Sequence, residues 1–181
     1  MKNEIKRWYI FGAVFIALGG TALHFLYDIT GQNSIAALFG SVNESTWEHL
    51  KLYFWPTLFW GAAASVAFGW KLCNFIPALA AAELGGMLTI LILYYTCTGI
   101  LGFGIAFLNV IIFYLGAASG MFLSYSLLIS GRGASRSAAA VSASVIAALG
   151  VCFAVFTNNP PDLGLFREPA QQFAVWHPAS L

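Results

Sequence analysis

The chain of 181 residues is 60% hydrophobic and carries eight Lys and Arg against seven Asp and Glu, for a net charge of +1. That composition leaves too little polar cover for a water-soluble globule, and the near-neutral balance lacks the basic patch of a nucleic-acid-binding surface. The three cysteines, Cys73, Cys97 and Cys152, have no metal-type spacing and no even number for disulfide pairing, so they read as small packing residues.

Residues 8–27, 52–70, 84–131 and 137–161 carry no formal charge. A membrane-crossing helix needs about 20 mostly apolar residues, so these runs predict an all-α, polytopic transmembrane helical bundle of five spans. Span one is residues 8–27, preceded by Lys2, Lys6 and Arg7. It exceeds the roughly 7–15-residue core of a signal peptide and lacks a small-residue cleavage site, so a retained first span is expected. Span two runs from Thr46 to Gly69 with Pro56 as a kink, and span three from Pro77 to Cys97. Glycines within residues 98–104 break the longest charge-free run, which leaves span four at 105–130 and span five at 137–157. Asn158-Asn159-Pro160-Pro161 then stops the last helix and opens a polar tail over residues 158–181. The whole chain, 1–181, reads as one integral-membrane domain. A six-element alternative makes residues 30–42 a re-entrant segment, since Ile35 to Gly40 is apolar enough to dip into the interface.

Positive charge orients membrane proteins toward the cytoplasm. With five spans, Lys2, Lys6, Arg7, Lys71, Arg132 and Arg136 all fall on one side, leaving Lys51 and Arg167 on the other. The expected arrangement is a cell-membrane protein with a cytoplasmic N-terminus and an external C-terminal tail.

That topology gathers polar segments at the outer face. His24 and Asp28 are spaced to share a helix face, as are Glu44 and Glu48 in Asn43-Glu44-Ser45-Thr46-Trp47-Glu48-His49-Leu50-Lys51. Ser41 or Ser45 is placed to cap span two. The tail and the Tyr94 to Thr98 stretch reach the same level. Desolvating charged groups is costly, so His24, Asp28, Asn43, Glu44, Glu48 and His49 are candidates for ligand or proton binding. Among them His24, Asp28, Glu44, Glu48 and His49 have the donor chemistry for a divalent transition metal. In a regular helix, however, Glu44 and His49 lie on different faces. The structural alternative pairs Glu48 with Lys51 as an interfacial anchor.

Glu83, within the third span, is a separate intramembrane candidate, with a structural hydrogen bond to a neighbouring Ser, Thr or Asn109 as its alternative. It lies about 20 Å from the outer cluster. Gly116-Ala-Ala-Ser-Gly120 is a small-xxx-small pattern, read as packing within the bundle, with homodimerisation as the other use.

Four strings, in order, resemble a small bacterial and archaeal multi-pass membrane family of unknown function. They are His24-Phe-Leu-Tyr-Asp28, Asn43-Glu44-Ser45-x-Trp47-Glu48-His49-Leu50-Lys51, Tyr95-Thr96-x-Thr98-Gly99, and Asn159-Pro160-Pro161 with Leu165-Phe166-Arg167-x-Pro169. The resemblance implies a multi-pass architecture and marks the same polar segments, but it supplies no activity. The chain departs from the pattern at Asp162, where a histidine is expected after the two prolines. The histidine pair of the membrane hydrolases related to alkaline ceramidase is absent, as are the motifs of vitamin-transporter substrate-binding subunits.

Three functional classes follow. The first is binding or translocation of a small solute, cation or proton through the outer carboxylate and histidine cluster, with Glu83 as a deeper step. The second is a membrane-embedded, metal-dependent hydrolase of a lipid or other membrane substrate. The third is an accessory subunit or scaffold. Beyond the lipid bilayer, the expected partners are a small solute or cation and no nucleic acid. No cofactor follows from the sequence outright, and a divalent transition metal is the one candidate.

Overall fold

The computed structural model describes residues 2–168 and is all-helical over them. Seven α-helices follow in chain order: α1 Lys2–His24, α2 Leu26–Ile29, α3 Ser34–Phe39, α4 Thr46–Ala67, α5 Phe75–Leu101, α6 Ala106–Ser130 and α7 Arg136–Asn158. Short 3-10 turns occupy Gly69–Lys71 and Gly164–Phe166.

Five of these helices are long and overlap the five expected spans, although α1 starts at Lys2 and ends at His24, and α5 runs on to Leu101. Three of them, α5, α6 and α7, are long and apolar enough by length and composition to cross a membrane. Their boundaries have local causes. Gly102 and Gly131 end α5 and α6 in the left-handed conformation, with φ of 76° and 69°. Ser45 and Ser135 cap α4 and α7 by accepting from the backbone N–H groups of Glu48 and Ala138. Residues 30–42 form no span. Their helix α3 has six residues, about 9 Å of rise, and packs against α4 and α7.

The helices α4 and α5 carry most of the buried residues, including Tyr53, Phe54, Trp60, Ala78, Ala82 and Glu83. Around them, α5 and α6 pair most extensively, α1 packs on α4 and α6, and α7 covers α4 and α5. Two close approaches depend on glycine. Pro56 cannot donate to the Leu52 carbonyl, and Gly20 of α1 lies over that carbonyl so closely that a Cβ would come within 2.8 Å. Gly86 of α5 and Gly120 of α6 make room for the Tyr53 hydroxyl, which donates to the Ala82 carbonyl at 2.8 Å. The Gly116–Gly120 pattern therefore packs α6 onto α5 inside the bundle.

Large apolar side chains stay exposed on the outward faces, among them Phe11, Leu18, Ile92, Phe122 and Val141. So many exposed large apolar side chains suit lipid rather than water. One end of the bundle holds the N-terminal, 71 and 132–136 basic residues. There Trp8 packs on Phe68, and the Asn74 amide donates to the carbonyls of Leu127, Leu128 and Arg132. The polar segments converge at the opposite end.

Candidate metal centre at the polar end of the bundle

The loop between α3 and α4 builds the centre. Asn43 Oδ1 accepts from Ser45 N at 2.9 Å, which holds residues 43–45 in a turn and starts α4 only at Thr46. Glu44 therefore lies outside the helix. Its carboxylate swings back to His49 Nε2 at 3.6 Å and to His24 Nε2 at 3.8 Å. This corrects the expectation from helical spacing, under which Glu44 and Glu48 share a face and Glu44 and His49 do not.

Each imidazole is fixed through its other nitrogen. His49 Nδ1 lies 2.9 Å from the Ser45 carbonyl oxygen, which can only accept, so Nδ1 carries the proton and donates. His24 Nδ1 lies 3.3 Å from Ser41 Oγ, whose hydroxyl is also 3.3 Å from the His24 carbonyl. Both Nε2 atoms are turned toward Glu44, and the two rings stand 5.3 Å apart. One donor atom from each of His24, Glu44 and His49 lies within 4.8 Å of the others. The side chains are 30%, 62% and 33% exposed, so the group is reachable from outside the bundle.

The other candidates go elsewhere. Glu48 and Lys51 form an ion pair at 2.6 Å with side chains 2% and 0% exposed. Glu48 also accepts from Val42 N at 3.0 Å and from the Thr157 hydroxyl at 3.2 Å. Lys51 donates to the Ala37 carbonyl at 2.7 Å and to Thr157 Oγ1 at 2.9 Å. The network is closed and ties α3, α4 and α7 together. The Glu48–Lys51 pair that the helical spacing suggests is thus formed, and it is buried as a tertiary lock. Asn43 serves the turn, and Asp28 is exposed outside the three-residue group. In the tail, Asp162 pairs with Arg167 at 2.8 Å, and Trp47 packs against Phe153, Phe156 and Phe166.

Glu83 is fully buried, and among the described residues neither carboxyl oxygen has a hydrogen-bond partner. Asn109, offered by sequence as its partner, instead lines cavities beside Glu44 and His49. Sequence reading also missed Ser41 as the brace for His24 and Thr157 as the far end of the lock. Ser41 carried a signal as a capping candidate; Thr157, at the end of an apolar span, carried none.

No curated protein and no solved structure matches the chain. A family profile matches residues 1–173 and is described as a family of unknown function (DUF6512). That match spans nearly the whole sequence, and the chain belongs to this family.

Proposed function

We propose that this is an integral membrane protein that holds one divalent transition-metal ion between His24 Nε2, His49 Nε2 and a Glu44 carboxylate oxygen. The observation that carries the proposal is the bracing of both imidazoles. A ligating histidine characteristically has its second nitrogen fixed by a carbonyl, a hydroxyl or a carboxylate, which aims the free lone pair at the metal. Here Ser45 and Ser41 do this for His49 and His24. Zinc at about 2.0–2.1 Å from each of its tetrahedral ligands places donors about 3.3 Å apart. His24 Nε2 lies 3.8 Å from Glu44 Oε1 and His49 Nε2 lies 3.6 Å from Glu44 Oε2, with one donor atom from each residue within 4.8 Å of the others, so sharing one ion draws the side chains together by up to about 1.5 Å.

Three protein ligands with water access match a catalytic rather than a structural zinc site, because the fourth position stays open. A metal held there would act as a Lewis acid on a bound oxygen or lower the pKa of a bound water. This favours a hydrolytic or ligand-binding centre over a translocation path. Glu83 lies about 16 Å along α5 from Tyr94 at the polar end. The buried α5 residues between them are Gly86, Met87 and Ile90, with no charged group. In the orientation the basic residues favour, the N-terminus is cytoplasmic and the metal centre faces the outside of the cell membrane.

The test is elemental mass spectrometry of the detergent-purified, zinc-supplemented protein beside His24→Ala and His49→Ala. About one equivalent of zinc, lost in both variants, is expected. Equal metal content in all three proteins would overturn the proposal.

A further inference from the structure

Two cavities meet at the His24–Glu44–His49 group. The larger, of about 280 Å³, runs between α1, α4 and α6, with Leu52, Val110 and Phe113 among its apolar walls. The smaller, of about 70 Å³, lies between α4, α5 and α6 and is lined by Thr46, Tyr94 and Ile112. Glu44, His49, Asn109 and Phe113 border both, so the two lie side by side at the candidate metal ligands.

The recess contains an incomplete polar site. Thr46 is 5% exposed, and among the described residues its hydroxyl meets no partner at good hydrogen-bond geometry, with the Tyr94 hydroxyl as its polar neighbour. A buried hydroxyl left without a partner is costly, and its presence at a cavity wall points to a group that completes it. About 70 Å³ is several times the roughly 10–15 Å³ of cavity that one water needs, so the recess has room for a small polar head group such as a carboxylate. The wider groove is predominantly apolar and lies at the small end of ligand pockets. Its rim residues Phe25, Val110 and Tyr114 are exposed on the side of the bundle, which gives lateral access from the hydrocarbon.

We propose that the adjoining cavities bind a long-chain carboxylate, free or as the acyl part of an ester. The carboxyl oxygens sit in the recess against the Thr46 hydroxyl and the Asn109 amide, beside His49 and Glu44. The chain runs along Leu52, Val110 and Phe113 toward the bilayer. The inference rests on the metal reading for the role of His49 and Glu44, but Thr46 and Asn109 belong to this inference alone.

The test measures radiolabelled dodecanoate binding to the zinc-loaded protein in phosphatidylcholine nanodiscs, against empty nanodiscs, with acetate and dodecylamine as comparison probes. Thr46→Val removes an unpartnered hydroxyl at constant shape, and Val110→Trp fills the groove at an exposed position, so both variants are expected to fold. Saturable dodecanoate binding is expected, weakened about ten-fold or more by each substitution with zinc content unchanged. Neither acetate nor dodecylamine should compete. Dodecanoate binding equal to that of empty nanodiscs, or unaltered by both substitutions, overturns the inference. If dodecanoate binds through Thr46 while the protein takes up no zinc, the metal reading fails and the amphiphile site stands.

Discussion

Replacing Lys51 by Met removes the cation from the buried lock and leaves every other member in place. Glu48 then keeps the Val42 N–H and the Thr157 hydroxyl but loses its 2.6 Å counter-charge, and the Ala37 carbonyl loses its 2.7 Å donor. Because both charged side chains are at most 2% exposed, water cannot take over. Breaking a buried ion pair from one side costs about 3–5 kcal/mol, since the remaining charge stays desolvated. Removing both charges is far less harmful, because two apolar side chains of similar volume need no partners. Lys51→Met should therefore destabilise the protein by about 4 kcal/mol, and Lys51→Met/Glu48→Met should be more stable than the single variant. The assay is reversible denaturant unfolding in mixed micelles, followed by tryptophan fluorescence, since Trp47 and Trp55 lie on the same helix. A loss below about 1 kcal/mol, or a double variant as unstable as the summed single variants, would refute the reasoning.

Gly120→Ala places a methyl group against the Tyr53 hydroxyl and the Ala82 carbonyl. It should cost about 1–3 kcal/mol by overpacking, read in the same unfolding assay, and unchanged stability would contradict the close α5–α6 approach. Glu83→Met removes two buried, unpartnered carboxyl oxygens and should raise stability by about 1–3 kcal/mol; a lower unfolding midpoint would show that Glu83 has a partner. For orientation, Asn159→Cys should react with a membrane-impermeant maleimide in intact cells, whereas the exposed Cys73 should react only after permeabilisation. The reverse pattern would invert the topology.

The long helices were legible because they rest on a coarse signal, the length of apolar runs and the glycines that end them. Gly102 closes α5 inside the break expected over residues 98–104, and Ser45 caps α4 where Ser41 or Ser45 was expected. The polar site was legible only in its membership. Helical spacing grouped Glu44 with Glu48, but the Asn43 turn delays α4 to Thr46 and frees Glu44 to reach two histidines. Glu48 carried the same signal as Glu44, and only the burial of Lys51 and the distant Thr157 separates a lock from a ligand. Thr46 reads in sequence as one more first-turn residue. The recess beside it exists only once α5 and α6 stand beside α4.

The most direct test of the metal centre is X-ray absorption at the zinc edge of the loaded protein. The account predicts nitrogen and oxygen scatterers only, at about 2.0–2.1 Å, with the multiple scattering of two imidazole rings. Sulfur scattering near 2.3 Å, or the multiple scattering of one imidazole ring or none, would place the metal elsewhere and contradict the centre built from His24, Glu44 and His49.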